Sequence, residues 1–356
     1  MKVAMVVPRY PPNIHGGGEI SCKLLVDTLR KKDVDVEVFS FDRVFPHIWS
    51  KLYLNYKAVG YLKDKVDDFD VFHTYNMDLL PAVGRLTKKF GINSVATLNG
   101  IVFSPSMSTY RFKYLSPKFY RNLICFNSIK NISCFTTLFQ VFKDKWVEDG
   151  LDKDKITVIP NMLDPSFKPE KRKKSEDEIR LLHVGNFSPT RKEEIETLIK
   201  SYSKLKKQDV SLKMVGKGKE KVEALVERYK PKNSVNHLGE KDYEELPSIY
   251  ADSDIFVHPS SLPKTADRVI YEAMLSGVCV VTTGNDYYSQ VIRNKKDGLL
   301  LYPMNSEKLA ENIQMLIDNP ELRKKMAESG KKRVQNVCNP NRVTDRYIRV
   351  YEDLIK

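Results

Sequence analysis

The stretch YADSDIFVHPSSLPKTADRVIYEAMLSGVCVVTT (Tyr250–Thr283) sets a carboxylate where it could hold a diol. Two short apolar runs in it, Ile255–His258 and Val278–Thr282, are expected as buried parallel strands, with a helix from about Arg268 to Ser276 between them. Open α/β sheets bind ligands at the carboxyl ends of their strands. The polar loop after His258 opens there, and Glu272 lies in the helix that this loop feeds. An ionised carboxylate only accepts hydrogen bonds, so it suits a pair of hydroxyls such as those of a ribose. A second candidate is the turn PRYPPNIHGGGEI, in which Gly16, Gly17 and Gly18 separate a first strand from a helix. Glycines let backbone amides approach an anion, and a helix N-terminus favours negative charge. The spacing fits neither GxGxxG nor the P-loop GK[ST], and Glu19 also complements the helix dipole. Two Asp-x-Asp triplets, Asp68-Phe69-Asp70 and Asp252-Ser253-Asp254, have a metal-binding pattern. Each precedes an apolar strand and reads as strand-entry acids, so no metal site is expected.

These residues need a scaffold, and strand and helix signals alternate from the start of the chain, which argues for parallel βα units. Val3–Val7 reads as a strand, then a helix from about Gly18 to Lys32, then strands at Val34–Ser40, Val71–His73, Ser94–Leu98, Ser133–Thr137 and Lys155–Ile159. The charged run KPEKRKKSEDE (Lys168–Glu178) lacks apolar residues and reads as a linker. After it the rhythm restarts with Ile179–Val184, a helix to about Leu205, and strands at Ser211–Val215, Val235–Leu238, Ile255–His258 and Val278–Thr282. Two successive doubly wound α/β domains are expected, residues 1–167 and 168–340. Past the break at Asn339-Pro340-Asn341, residues Val343, Tyr347, Val350, Tyr351 and Leu354 follow helical spacing.

The chain has 356 residues, 41% of them hydrophobic and 29% charged, enough for two globular domains. No apolar run reaches the roughly 18 residues that span a bilayer. The start, MKVAMVVPRYPP, is expected to be a buried strand rather than a signal peptide. Five scattered cysteines without a CxxC pair fit a reducing cytosol and neither zinc nor a disulfide framework. The net charge is +13, and its placement matters more than its size. Between Asp78 and Asp144 there is no acid but there are nine Lys or Arg, with aromatics interleaved in TYRFKYLSPKFYRNLICF (Thr109–Phe126). Beyond a solubilising surface, this region 109–126 reads as a face for anionic lipid or a phosphate-bearing acceptor. No finger, RRM-like motif or recognition helix supports nucleic acid.

The donor segment resembles that of retaining nucleotide-sugar glycosyltransferases of the family-4 type, which have the GT-B fold. In that family a glutamate, seven residues and a second glutamate precede Ala-Met and a Gly-x-Pro-Val-Val strand; Glu272-Ala273-Met274 and Gly277 match. Further resemblances are Leu181–Leu205 to the "VGR-x-x-x-x-K-G" entry, KITVIPNMLDPSFKP to "IPNGVD", KMVGKGKE to "LVGDGPE", and KKDGLLLYP to "G-L-L-V-P". They cover the second half densely and the first half thinly. The resemblance implies two Rossmann-like domains with a nucleotide-sugar site in the cleft between them, and a last helix (341–356) crossing back to the first domain.

It also implies roles. Arg191 takes the basic position facing the diphosphate, where its planar fork can donate to two oxygens. A cation in a helix's first turn is otherwise unfavourable without an anion. Lys192 follows where glycine is usual, and Asn186 stands for the motif's arginine. Gly17 and Gly18 lie near the diphosphate, Gly216 near the base and Glu272 at the ribose. Asn99, in ATLNG, holds the place of a histidine near the reacting sugar, whereas His73 reads as structural. Lys264 stands where the family has its first glutamate, and a lysine cannot accept a hydrogen bond. Three consequences are open: Asp267 takes the sugar contact, the donor sugar is acidic, or turnover is lost. The expected function is retaining, metal-independent transfer of a hexose from a UDP- or GDP-sugar to a lipid-linked or surface-glycan acceptor, by a cytoplasmic protein peripheral to the inner membrane face and without a cofactor. The alternative is a non-catalytic GT-B subunit that binds a glycan or partner.

Overall fold

The computed structural model describes residues 1–12, 17–41, 48–75, 77–99, 127–164, 167–168, 178–185, 187, 191–206, 209–260, 268–284, 287–302 and 305–356, with the backbone alone for 48–52. The linker expected at 168–178, except its end residues, and the basic-aromatic run 109–126 lie outside the described residues. The rest forms two compact units: Met1–Met162 with Pro340–Lys356, and the described residues between 163 and 339.

The first unit holds β1 (Lys2–Val7), β2 (Asp35–Ser40), β3 (Val71–Thr74), β4 (Ser94–Leu98), β5 (Cys134–Thr137) and β6 (Ile156–Val158) in the order β2-β1-β3-β4-β5-β6. Every pairing is parallel. β3 and β4 are buried throughout and β1 is buried beyond Lys2, as unbroken apolar runs in a sheet covered on both faces require. The chain steps one way from β1 to β2 and the other way from β2 through β3 to β6. Right-handed crossovers therefore put helix Gly17–Arg30 on one face and helices Ile48–Leu62, Leu80–Phe90 and Gln140–Glu148 on the other. Local sequence sets the helix limits. Leu80–Phe90 has a proline in its first turn and stops at Gly91, whose φ of 69° needs the left-handed region.

The second unit holds β7 (Ile179–Val184), β8 (Val210–Val215), β9 (Val235–His237), β10 (Ile255–His258), β11 (Cys279–Thr283) and β12 (Leu299–Leu301), ordered β12-β11-β10-β7-β8-β9 and again parallel. Its core gathers Leu181, Leu212, Val257 and Val281 from the strands with Leu198, Ile199, Ile313 and Leu316 from the helices. Asp297 is buried and held bidentately by Arg293 at 2.7 and 2.8 Å, with the Ser329 hydroxyl donating at 2.7 Å. That carboxylate ties the turn before β12 to helix Pro320–Val337. Among the described residues no helix is long and apolar enough to cross a membrane.

The last helix, Pro340–Ile355, belongs to the first unit and buries Val343, Tyr347, Val350 and Tyr351 at the spacing read from the sequence. It packs beside Gly17–Arg30, with the Thr344 hydroxyl 2.9 Å from that of Thr28 and Lys32 paired to Asp345. A polar seam runs beneath it. The Tyr351 hydroxyl lies 2.6 Å from His73 Nδ1, His73 Nε2 lies 2.7 Å from Thr97 Oγ1, and Thr97 reaches Thr136 at 2.7 Å. His73 is thus structural, as its sequence context indicated. Burial pushes its pKa down to about 3, so the folded state holds it neutral. The unfolded chain takes up a proton at this histidine near pH 6.5, the folded one only near pH 3. Its contribution is therefore complete above the unfolded value and is lost as pH falls, by up to about 1.4 kcal/mol per pH unit. Urea unfolding followed from pH 7 to pH 4.5 is expected to show that slope in the wild type. A His73→Gln variant, which keeps hydrogen-bonding groups but does not titrate, should show a slope smaller by one proton; equal slopes would contradict a neutral His73.

Candidate active site

In the second unit β7 and β10 lie side by side, Leu181 opposite Ile255 and Leu182 opposite Phe256. The chain leaves β7 toward β8 and leaves β10 toward β11 in the opposite direction, so the order reverses between them. Such a reversal opens a crevice at the strands' carboxyl ends. Helix Lys192–Tyr202, after β7, and helix Arg268–Leu275, after β10, flank this point.

Three loops on the β7 side are fastened together. Gly185 N donates to Val215 O at 3.0 Å, Phe187 N to Lys217 O at 3.0 Å, and Gly216 N to Gly239 O at 2.9 Å. Gly216 and Gly218 have φ of 139° and 110°, which side chains rarely adopt. A Cβ on Gly218 would also come within 2.9 Å of Phe187 Cβ. Arg191 caps the helix that follows and is 24% exposed. Its Nη1 sits 3.5 Å from Glu194 Oε2, a carboxylate 1% exposed. The anion that a cation at this helix start requires is thus supplied within the chain, by a first-turn acid that the sequence reading did not single out. Lys192 is exposed beside it.

Across the reversal, His183 Nδ1 donates to Val257 O at 2.8 Å and its ring stacks on His258 at 5.4 Å and 12°. Ser260 follows β10; its amide donates to Thr283 Oγ1 at 2.9 Å, and its buried hydroxyl has no hydrogen-bond partner among the described residues. Glu272 is 7% exposed. Tyr250 OH donates to its Oε2 at 3.2 Å, while Arg268 Nε lies 3.7 Å from Oε1, close enough for charge pairing but not for a hydrogen bond. Arg268 Nη2 in turn donates to Tyr243 OH at 3.2 Å, and Phe167 packs on both tyrosine rings. Burial raises the Glu272 pKa above the ordinary carboxylate value, and Arg268 and the Tyr250 hydrogen bond oppose the rise. Two oxygens with two lone-pair sites each leave acceptor capacity beyond the Tyr250 bond. Arg268, a cation four residues before Glu272, is the site residue that the sequence reading missed; the i,i+4 spacing was the available signal.

In the first unit, Gly17 and Gly18 open helix Gly17–Arg30 and are exposed. A Cβ on Gly18 would meet no atom within 4 Å, so the chain itself does not demand glycine there. Asn99 stands at the carboxyl end of β4, its Nδ2 donating to Tyr75 O at 3.2 Å and its Oδ1 buried without a partner among the described residues. The acid triplets sit at the opposite, amino ends of the strands. Asp70 accepts from Lys2 N at 2.6 Å, Asp254 from Arg180 N at 2.9 Å, and Asp252 pairs with Arg180 and Lys213. Of the sequence candidates, the second unit thus brings Arg191, Lys192, Gly216 and Glu272 to its carboxyl face. Gly17, Gly18 and Asn99 lie at carboxyl ends in the first unit, and Lys264, Asp267, Gly16 and Asn186 fall outside the described residues.

Two parallel six-stranded α/β sheets, each reversing its order, with a final helix returned to the first, define the GT-B class of proteins. Family models agree: residues 15–167 match Glycosyltransferase Family 4 and residues 165–333 match Glycosyl transferases group 1. The chain belongs to these family-4, group 1 glycosyltransferases. It is 25% identical to an uncharacterized glycosyltransferase of Methanocaldococcus jannaschii, over 99% of this chain and 98% of that one. The GPI3 subunit of the phosphatidylinositol N-acetylglucosaminyltransferase of Saccharomyces cerevisiae is 26% identical over 53% of this chain and 43% of its own. Among solved structures, Anabaena HepE in complex with UDP-glucose superimposes with a TM-score of 0.76 at 18% identity, covering 99% and 100% of the two chains.

The Arg268–Glu272 pair makes a stability prediction. Arg268→Met leaves a buried carboxylate without its cation and is expected to cost about 3–5 kcal/mol. The double change Arg268→Met/Glu272→Leu should recover most of that in chemical denaturation. A single variant as stable as the wild type would rule out the pairing.

Proposed function

We propose that this glycosyltransferase moves a hexosyl group from a UDP- or GDP-sugar to a lipid-linked or surface-glycan acceptor at a membrane face, with retention at the anomeric carbon and without a metal ion. The observation that carries this reading is Arg191, a guanidinium at the head of a helix beside the sheet's reversal point, oriented by the buried Glu194. As the bond from the sugar C1 to the diphosphate breaks, negative charge grows on the leaving oxygens. Arg191 donates to two of them at once, and Lys192 and the helix's first amides add to that field. The acceptor oxygen bonds to C1 on the face that the diphosphate leaves, and its proton passes to the departing phosphate oxygen. That balance requires neither a protein nucleophile nor a metal.

Glu272 would receive the ribose hydroxyls on its remaining lone pairs, and the Ser260 hydroxyl is a further open partner nearby in the chain. Gly17, Gly18 and Gly216 let backbone approach the donor, and Asn99 Oδ1 would serve the reacting sugar. With Lys264 in place of an acceptor carboxylate, Asp267 would take the sugar hydroxyls. HepE's complexes with UDP and UDP-glucose favour uridine as the base. The name of the GPI3 enzyme, which couples N-acetylglucosamine to phosphatidylinositol, favours a lipid acceptor. A peripheral position on the cytoplasmic face fits such an acceptor. One observation favours a second reading, a GT-B protein that binds donor or glycan without turnover: Glu272 is 7% exposed and already engaged by Tyr250 and Arg268.

Thermal unfolding against UDP, GDP, ADP and their sugars tests the donor site. A ligand at 100 times its Kd should stabilise by about 2.7 kcal/mol, and Glu272→Gln should remove most of that shift. Arg191→Ala is expected to lower turnover by about 10²–10³ while the shift persists. Unchanged turnover in Arg191→Ala would overturn its role, and a shift with no turnover in the wild type would establish the second reading.

A further inference from the structure

Helix Ile48–Leu62 buries Leu54, Asn55, Ala58 and Leu62 and turns its other side outward. Tyr53, Tyr56, Lys57, Gly60 and Tyr61 recur there at i, i+3, i+4, i+7 and i+8, a single exposed stripe. Its tyrosines are 64, 72 and 54% exposed, unusual for three large rings on one helix face. The neighbouring helix, Leu80–Phe90, exposes Arg85, Lys88, Lys89 and Phe90, with Lys89 Nζ 5.0 Å from the Phe90 ring centroid. Asn55 fixes the two helices side by side, donating to Asp78 O and accepting from Ala82 N, each at 2.8 Å. Right-handed crossovers place both on one face of the sheet.

The charge of the two helices themselves is one-sided. No Asp or Glu occurs from Arg43 to Lys63 or within Leu80–Phe90. Elsewhere in the same unit Lys23 is neutralised by Asp27 and Lys145 by Glu148. Lys57, Arg85, Lys88 and Lys89 form no ion pair among the described residues. The nearest acids along the chain are Asp78, two residues before Leu80, and the exposed Asp64, Asp67 and Asp68, in the turn Lys63–Asp68 that follows the tyrosine helix and touches both helices at its edge.

We infer that the outer face of helices Ile48–Leu62 and Leu80–Phe90 is a docking surface for an anionic lipid bilayer. Tyrosine suits the interfacial zone, its ring among acyl chains and its hydroxyl among headgroups, while unpaired cations meet lipid phosphates. Each cation near such a surface contributes a roughly fivefold gain in partitioning. The inference deepens the membrane-acceptor reading and rests on it for why a bilayer is at hand; the surface is read from these two helices alone.

Co-sedimentation of the full chain with phosphatidylcholine vesicles, with and without phosphatidylglycerol, is the test. Binding is expected only to the anionic vesicles. Lys88→Glu/Lys89→Glu should lower partitioning at least roughly tenfold and Tyr53→Ser/Tyr56→Ser several-fold, with melting temperatures unchanged. The exposed pair Lys324→Glu/Lys325→Glu, in the other unit, serves as a charge-matched control and should bind as the wild type does. No binding to anionic vesicles, binding indifferent to both variant pairs, or equal loss in the control would each overturn the surface. So would a dimer that the tyrosine pair dissolves, which would assign the face to a second copy of the chain. UDP-sugar shifts on the same samples separate the two readings. A protein that takes the nucleotide sugar but ignores vesicles loses this surface and keeps the transferase reading; the reverse result does the opposite.

Discussion

Parallel strands can be joined only by crossovers, and crossovers are right-handed. That handedness governs most of what this chain can do. A sheet that grows outward in both directions from its first strand must send its connections to opposite faces. It is then left, where the directions part, with strand ends that no connection covers. In the second unit this happens between β7 and β10, and the helices that follow these strands begin at the opening. Arg191 and Glu272 reach the same end of the sheet because their helices must start there. The acid triplets, by contrast, enter strands at the amino ends, where Lys2, Arg180 and Lys213 engage them.

Within that frame, buried charge is handled by short-range pairing along helices. Glu194 and Glu272 are both carboxylates sunk into the protein, and each meets an arginine on its own helix, three residues away in one case and four in the other. The pairing opposes the penalty of burial and also restricts where a flexible arginine side chain points. The two arginines differ in what surrounds them. Arg191 is a quarter exposed, whereas Arg268 is enclosed by Glu272 and Tyr243. Similar pairs therefore differ in setting: one holds a cation that stays partly exposed, the other a carboxylate that is almost wholly buried.

The strands were legible in the sequence because they are unbroken apolar runs bounded by polar turns. Ser94–Leu98, Ile179–Val184 and Ile255–His258 were read to the residue, and the spacing of Val343, Tyr347, Val350 and Tyr351 located the buried side of the last helix. Glu272 and Arg191 were legible as candidates through motif and charge. What stayed hidden depends on contacts between distant segments. Nothing around Tyr243 or Tyr250 announces that their hydroxyls converge on Arg268 and Glu272, some 20 residues downstream. Glu194 looked like any acid in a helix's first turn until its burial was seen. The tyrosine stripe on Ile48–Leu62 has a periodicity that the sequence carries openly, but which side of a helix faces water is decided by the fold.

The return of Pro340–Ile355 to the first unit makes the second unit an insertion in its host rather than a successor to it. During synthesis the inserted unit has all its strands before the host has its full complement of helices. Until the last 16-residue helix leaves the ribosome, His73 lacks its tyrosine partner and the part of Gly17–Arg30 that this helix covers lies bare. The order of chain growth and the order of completion are thus inverted: the half that begins first finishes last. Any fragment ending at residue 162 would carry the host's sheet without its closing piece, and would be a ready client for chaperones.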